Sequence, residues 1–242
     1  MYKDAQDKEY ITLFSFRPIS EYSFADVINN ELTLCNPTVF NDPFDTILPH
    51  WLEYSLSTLE STKGQESIEY KHQKLMNNAC KYIKARAFIV APNNDIRELS
   101  QLMWAHYAKD HKGFCIKYKF NKKFFYTNFN TNTALVWKRI NYVSNDFPYR
   151  KDIRLTEALI TKNDIWKYEN EYRILMYDPS NSDKYESIKL GENAQISDIY
   201  LGVRCTKTDQ ILVKNLIKNS QINLYKMEQV PTNAFKLNCN EI

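Results

Sequence analysis

Apolar and polar positions alternate through residues 10–17, YITLFSFR, and Pro18 follows at once, so this stretch reads as a strand. Ser20 or Ser23 is placed to cap a helix carrying Phe24, Val27 and Ile28 on its apolar side. ELTLCNP gives a second strand stopped by Pro37, and NPTVFNDPFD carries the Asn-Asp-Pro chemistry of tight turns. The period changes over 65–86, where Ile68, Leu75, Ala79, Tyr82 and Ile83 form a narrow apolar stripe on a long polar helix. AFIVAP is a short strand. Helical spacing returns over 96–109, IRELSQLMWAHYAK, through Leu99, Leu102, Met103 and His106. Gly113 ends that turn, and GFCIKYKF and ALVWKRINYV read as strands. DIRLTEALI is a helix, followed by the strands EYRILMY, YESIKL and ISDIYLGV, a helix over 208–219, and the strands INLYKM and AFKL.

Strands outnumber helices without regular βαβ alternation, so the expected class is α+β, with a mostly antiparallel, twisted sheet and flanking helices. The length suits a single domain spanning 1–242, with the helical stretch at about 52–86 as an insertion against one core. A chain of this size buries roughly 70–75% of its unfolded surface and needs no disulfide or metal for stability.

Composition narrows the chemistry. Four glycines, and neither GxGxxG nor GxxxxGK[ST], leave no phosphate-cradling loop of the common kinds. A net charge of +3, with both signs interspersed, permits a nucleic-acid partner without demanding one. The five cysteines are scattered with no CxxC and no Cys/His cluster, so no metal site is expected. Cys35, Cys115 and Cys205 sit in or beside apolar runs and read as small buried hydrophobes. The first ten residues lack a signal-peptide core, and no run of roughly 18 apolar residues occurs. A cytoplasmic protein with no membrane partner is the expectation; the oligomeric state is not legible.

Six places carry candidate chemistry. Arg17, at a strand end before a turn, can hold a phosphate or carboxylate bidentately, or form a surface ion pair. In FNDPFD, Asn41 and Asp42 can fix the loop by bonding its backbone and Pro43 stiffens it; Asp42 and Asp45 make only a weak cation pair. Trp104 and Tyr107 lie three apart on one helix face, either a wall for stacking a base or nicotinamide, or core packing. His106 and His111, five apart, face different ways and make no zinc pair. WKYENEYRI places Glu169 and Glu171 in alternation, after Trp166 and before Arg173. Paired carboxylates beside an aromatic suit general-base work or stabilisation of a sugar cation; a carboxylate–arginine ladder along a strand edge is the alternative. Finally, Lys117, Lys119, Lys122, Lys123, Lys138 and Arg139 interleave with Tyr118, Phe120, Phe124, Phe125 and Trp137, a pattern for tracking a nucleic-acid backbone or for a half-buried strand.

An aromatic-Arg strand start, NDPFD, LMWAHYAKDHKGFCI, WKYENEYR and IYLGVR occur in this order, and on them the chain resembles the bacterial domain-of-unknown-function 2971 family from about Phe14 to Leu237. That resemblance implies a family and no activity. The layout also resembles the ADP-ribosyltransferase plan, which implies an Arg that holds NAD, a mid-chain element under the nicotinamide, and a Glu that stabilises the ribosyl cation. Carried over, those roles fall to Arg17, to Tyr107 or His106, and to Glu171 with Glu169 beside it; Trp104, Asn41 and Trp166 join the cofactor-binding set. The plan's Ser-Thr-Ser strand is absent, and Tyr107 sits on a helix.

Three readings follow. One is an ADP-ribosyltransferase-like enzyme that uses NAD as substrate and modifies a protein or nucleic acid, or hydrolyses NAD, in a toxin or phage-defence setting. The second is a nuclease or nucleic-acid binder. The third is a non-catalytic sensing or interaction module in which Glu169, Glu171 and Arg173 hold the sheet together.

Overall fold

The computed structural model describes residues 9–40, 42, 44–127, 133–148 and 153–242, apart from the side chains of residues 48–51, 72 and 76. In chain order it contains β1 (Tyr10–Arg17), α1 (Glu21–Asn29), β2 (Glu31–Cys35), α2 (Leu48–Lys63), α3 (Ile68–Ala79), β3 (Ile83–Ile89), α4 (Gln101–Tyr107), β4 (Phe114–Asn121) and α5 (Phe124–Thr127). Then follow β5 (Ala134–Arg139), β6 (Asn141–Val143), α6 (Leu155–Ile160), β7 (Thr161–Asn163), β8 (Glu171–Tyr177), β9 (Tyr185–Lys189), β10 (Ala194–Leu201), α7 (Lys207–Ile217), β11 (Asn223–Gln229) and β12 (Leu237–Glu241). The class is α+β with mixed, mostly antiparallel strand pairing, as the spacing predicts. No helix among the described residues is long and apolar enough to cross a membrane. The chain divides into two compact units, one of residues 1–32, 88–127 and 187–242, the other of 33–87 and 128–186.

In the first unit the strand order is β12-β11-β10-β4-β1, antiparallel except for the parallel β10/β11 pair. β1 and β4 run in unbroken register from Tyr10 opposite Asn121 to Arg17 opposite Phe114. Leu13, Phe14, Phe114, Ile116, Tyr118 and Phe120 are buried completely, and adjacent Leu13 and Phe14 show that both faces of β1 are covered there. Phe120 packs against Phe124 and Phe125, and Phe88 meets both Tyr118 and Phe120 edge-on. Of the aromatics that interleave with basic residues, Tyr118, Phe120, Phe124 and Phe125 are therefore core residues, while Trp137 is half-buried. α1 begins where the Ser20 hydroxyl accepts the Ser23 N–H at 3.2 Å, and it ends at left-handed Asn30, φ 52°. Its Phe24 stacks on Phe114 at 5.0 Å.

α4 closes in an unusual turn. Lys109, Asp110 and His111 all take positive φ, at 47°, 55° and 65°, a conformation costing roughly 1–2 kcal/mol per non-glycine residue. Backbone bonds hold it: Asp110 N–H to Ala105 O, His111 N–H to Trp104 O, and Gly113 N–H to Ala108 O at 2.7 Å. Two glycines allow the backbone to pass: a Cβ on Gly113 would stand 2.2 Å from Arg17 O, and one on Gly202 2.2 Å from His111 O.

In the second unit β5 and β8 pair antiparallel from Ala134 opposite Tyr177 to Arg139 opposite Tyr172. β8 also pairs with β3, Cys35 of β2 lies opposite Ala85 of β3, and β6 and β7 form a separate parallel pair. Cys80, Ile83, Ala85, Ile153, Ala158, Leu159 and Leu175 make its core, with Phe40, Ile47 and Leu52 packed against them. The helical stretch expected at about 52–86 consists of α2, α3 and a short 3-10 turn at Cys80–Tyr82, after which the chain turns extended at Ile83. Asn36 makes that corner: its amide donates to the carbonyls of Cys80 and Ile83, each at 3.0 Å, and to Lys81 at 3.3 Å. The expected strand ALVWKRINYV breaks at Ile140, whose N–H donates to Glu171 O at 3.0 Å.

All five cysteines are free; Cys80, Cys115 and Cys205 are buried, and Cys35 and Cys239 half-buried. Burial raises the Cys80 thiol to about 11 and the fully enclosed Cys115 thiol well above its ordinary value, so both behave as small hydrophobes.

Candidate functional site

The densest chemistry gathers in the second unit, around a lysine on a three-residue strand. β7 follows directly on α6, and Lys162 at its centre is only 3% exposed. The next segment is a 3-10 turn, Asp164–Glu169, started by the Asn163 side chain accepting the Ile165 N–H at 3.0 Å. It ends at left-handed Asn170, φ 47°, which swings the chain into β8. Glu169 and Glu171 are therefore not alternate residues of one strand, as their spacing predicts. One closes a turn, the other opens a strand, and Asn170 aims both inward.

Lys162 Nζ lies 2.7 Å from Asp45 Oδ1, 2.6 Å from Glu169 Oε2 and 2.9 Å from Glu171 Oε2. Arg173, two residues along β8 and on the same face as Glu171, donates Nε to Glu171 Oε1 at 2.5 Å. Its Nη2 donates to both Asp45 Oδ1 and Asp45 O at 2.9 Å, and its Nη1 to Leu159 O at 2.7 Å. Rings cover the cations: Trp166 lies 5.1 Å from Lys162 Nζ, and Phe40 lies 5.3 Å from the Arg173 guanidinium carbon. Tyr142 accepts the Glu171 N–H at 2.9 Å.

Burial alone would lower the Lys162 ammonium, but Glu171, Asp45 and Glu169 outweigh it and hold it above the ordinary lysine range. Arg173 is raised by the same balance. Burial pushes the Tyr142 phenol up to about 12. Lys162 and Arg173 are thus held protonated, and the cluster sets three carboxylates against two cations.

The other expected site residues fall as follows. Trp166, half-buried, lies in this cluster with Glu169 and Glu171. Asn41 and Pro43 lie outside the described residues, while the Asp42 carboxylate accepts the Phe44 N–H at 2.8 Å and so fixes the loop. Arg17, Trp104, His106 and Tyr107 belong to the first unit. Arg17, about one quarter exposed, pairs with buried Asp26 at 3.4 Å, and Asp26 also accepts from Tyr118 at 3.4 Å. Trp104 is fully enclosed, edge-on to Phe16 at 4.9 Å and parallel to His111 at 6.4 Å. Tyr107 is half-buried and His106 exposed, their rings 6.3 Å apart.

Lys162 and Tyr142 escaped the sequence reading. The signal for Lys162 was charge: two buried carboxylates and one arginine seven to eleven residues downstream need a further cation. Among the described residues, no group of three or more His, Cys, Asp or Glu side chains is arranged to hold a metal ion. Lys162 itself fills the centre of the carboxylate cluster.

No curated protein and no solved structure matches the chain. The motif resemblance runs from about Phe14 to Leu237, whereas the family match covers a shorter stretch that holds nearly all of LMWAHYAKDHKGFCI and all of WKYENEYR. Residues 103–174, which contain Lys162, Glu169, Glu171 and Arg173, match the family model described as Protein of unknown function (DUF2971).

Proposed function

We propose that the chain is a non-catalytic sensing or interaction module, in which the Lys162 cluster organises the second unit instead of turning over a substrate. The observation that carries this reading is the state of Glu171. It is 1% exposed, and its two oxygens are taken by Lys162 and Arg173. A carboxylate that stabilises a developing sugar cation or accepts a proton needs a free lone pair within reach of substrate. A lysine held protonated by three carboxylates is likewise a poor nucleophile or base.

One feature favours NAD-dependent transfer as a second reading: the cluster has one carboxylate more than its cations neutralise. In that reading Glu171 stabilises the ribosyl cation, and the acceptor is a macromolecule or water. Nicotinamide release from NAD separates the two, assayed on the parent and on Glu171→Gln, with and without lysate or RNA. The module reading expects no release by either. Release by the parent that Glu171→Gln abolishes, with the variant still folded, would overturn it in favour of the transferase.

A further inference from the structure

A cleft of about 300 Å³ opens in the first unit, at the small end of the range for ligand pockets. Four segments bound it. Gln101 comes from the first turn of α4, His111 from the left-handed turn, Val203 and Arg204 from the segment after β10, and Gln229 and Leu237 from the facing ends of β11 and β12. The walls are pinned. Gln101 donates its amide to Phe235 O at 2.5 Å, and Gln229 donates to Ala234 O at 2.9 Å, which ties the β11–β12 connection down at both sides. The Arg204 N–H donates to His111 O at 2.9 Å, so these two residues are held side by side.

Their side-chain chemistry is unspent. His111 Nδ1 is buried without a hydrogen-bond partner, as is Nε1 of Trp104, the ring parallel to His111. Buried polar atoms in native proteins nearly always have a partner, so an unpartnered one on a residue that lines a cleft calls for an explanation, a bound ion or water among them. Arg204 is exposed, and its guanidinium has no carboxylate partner among the described residues. Burial first, and then the charge of Arg204, hold the His111 imidazole below its ordinary value against the opposing pull of Asp110. The ring is therefore neutral near pH 7 and can donate from one nitrogen.

We propose that this cleft binds a small oxyanionic metabolite, its carboxylate or phosphate group seated between the Arg204 guanidinium and the His111 imidazole. A guanidinium fork fits two oxygens of either group, and a neutral imidazole N–H supplies a third bond without a second full charge. Val203, Ala234 and Leu237 offer apolar surface for a short body attached to the anion. The site stands on residues of the first unit alone, so it holds or fails independently of the reading of the Lys162 cluster.

Titration of the full chain with inorganic phosphate, and separately with acetate, tests this by calorimetry and by the imidazole proton shifts. His111→Gln assigns the His111 resonance. The expected result is saturable binding of at least one anion, with the His111 signal moving. A phosphate response points to a phosphate ester and an acetate response to a carboxylic acid. Arg204→Gln, a surface change that leaves the backbone bond to His111 in place, should weaken binding about tenfold or more, the worth of one charge-assisted hydrogen bond. His111→Gln should weaken it as well. Absence of saturable binding of both anions by the parent, or binding that survives Arg204→Gln unchanged, would overturn the proposal.

Discussion

Without its ammonium, the Lys162 position would leave Asp45, Glu169 and Glu171 facing one another with Arg173 as the one cation left to them among the described residues. Removing one partner of a buried ion pair typically costs about 3–5 kcal/mol, because the charges left behind stay desolvated. Lys162→Met is therefore expected to lose that much, read from the denaturant midpoint. The same residue sets an alkaline limit. Its folded value lies above the ordinary 10.5, so its contribution is complete below that pH and disappears as the pH climbs past it. Tyr142, raised from 10.0 to about 12, acts in the same direction. Stability should be flat in these groups through neutral pH and fall above about pH 10, less steeply in Lys162→Met. An unchanged midpoint in the variant would contradict this account of the cluster.

At the scale of elements, side chains that end helices and strands decide more than the apolar stripe does. Asn36 bonds three carbonyls at the close of the second helical stretch and also accepts the Thr38 N–H at 3.0 Å. Asn36→Ala removes these bonds, leaving the Cys80 carbonyl only the Ile83 N–H, at about 1–3 kcal/mol by the usual cost of an unsatisfied group. Thermal unfolding should register the loss, and Asn36→Asp, which keeps both Thr38 bonds but turns a carboxylate oxygen onto those carbonyls, should not recover it. The strands were readable because their alternation is local: YITLFSFR, GFCIKYKF and EYRILMY became β1, β4 and β8 with small changes at the ends. The helix expected over 65–86 ends at Ala79 instead, because Asn36, the group that caps its far end, lies more than forty positions upstream. Likewise Glu171 and Arg173 stand out as a charged pair, while Asp45 reaches Arg173 across 128 positions and Lys162 lies between the helix and the strand that the pattern predicts. Trp104 shows aromatic character plainly, but the ring parallel to it, His111, is the last of three left-handed residues that no spacing rule predicts.

For the molecule as a whole, neither unit is made from a continuous piece of chain. The central pairing of the first unit joins β1 to β4 and β4 to β10, so β4 is complete only when segments from both ends of the sequence are present. Contacts of such long sequence separation are formed late, after the loop-closure entropy has been met. Truncation after Leu190 keeps β9, removes β10, α7, β11 and β12, and strips one edge of β4. An exposed apolar edge strand of this kind templates association, so the shortened chain should elute as aggregate in size-exclusion chromatography. A monodisperse, folded product would show that the first unit closes without them.

The two glycines beside the left-handed turn have a bearing on how this sequence can vary. Gly113 and Gly202 lie where backbone passes backbone: the Gly202 N–H donates to Gly113 O at 2.9 Å, and a methyl group at either position would press on a main-chain oxygen. Main-chain atoms cannot rotate aside as a side chain can, so neither position has a conservative replacement. In a library of single substitutions these two sites would be vacant, while Gly64 and Gly191, with open space around them, would pass residues that accept positive φ. Half of the chain's four glycines are thus committed to one crossing, and lineages that keep His111 beside Arg204 must keep that crossing with it.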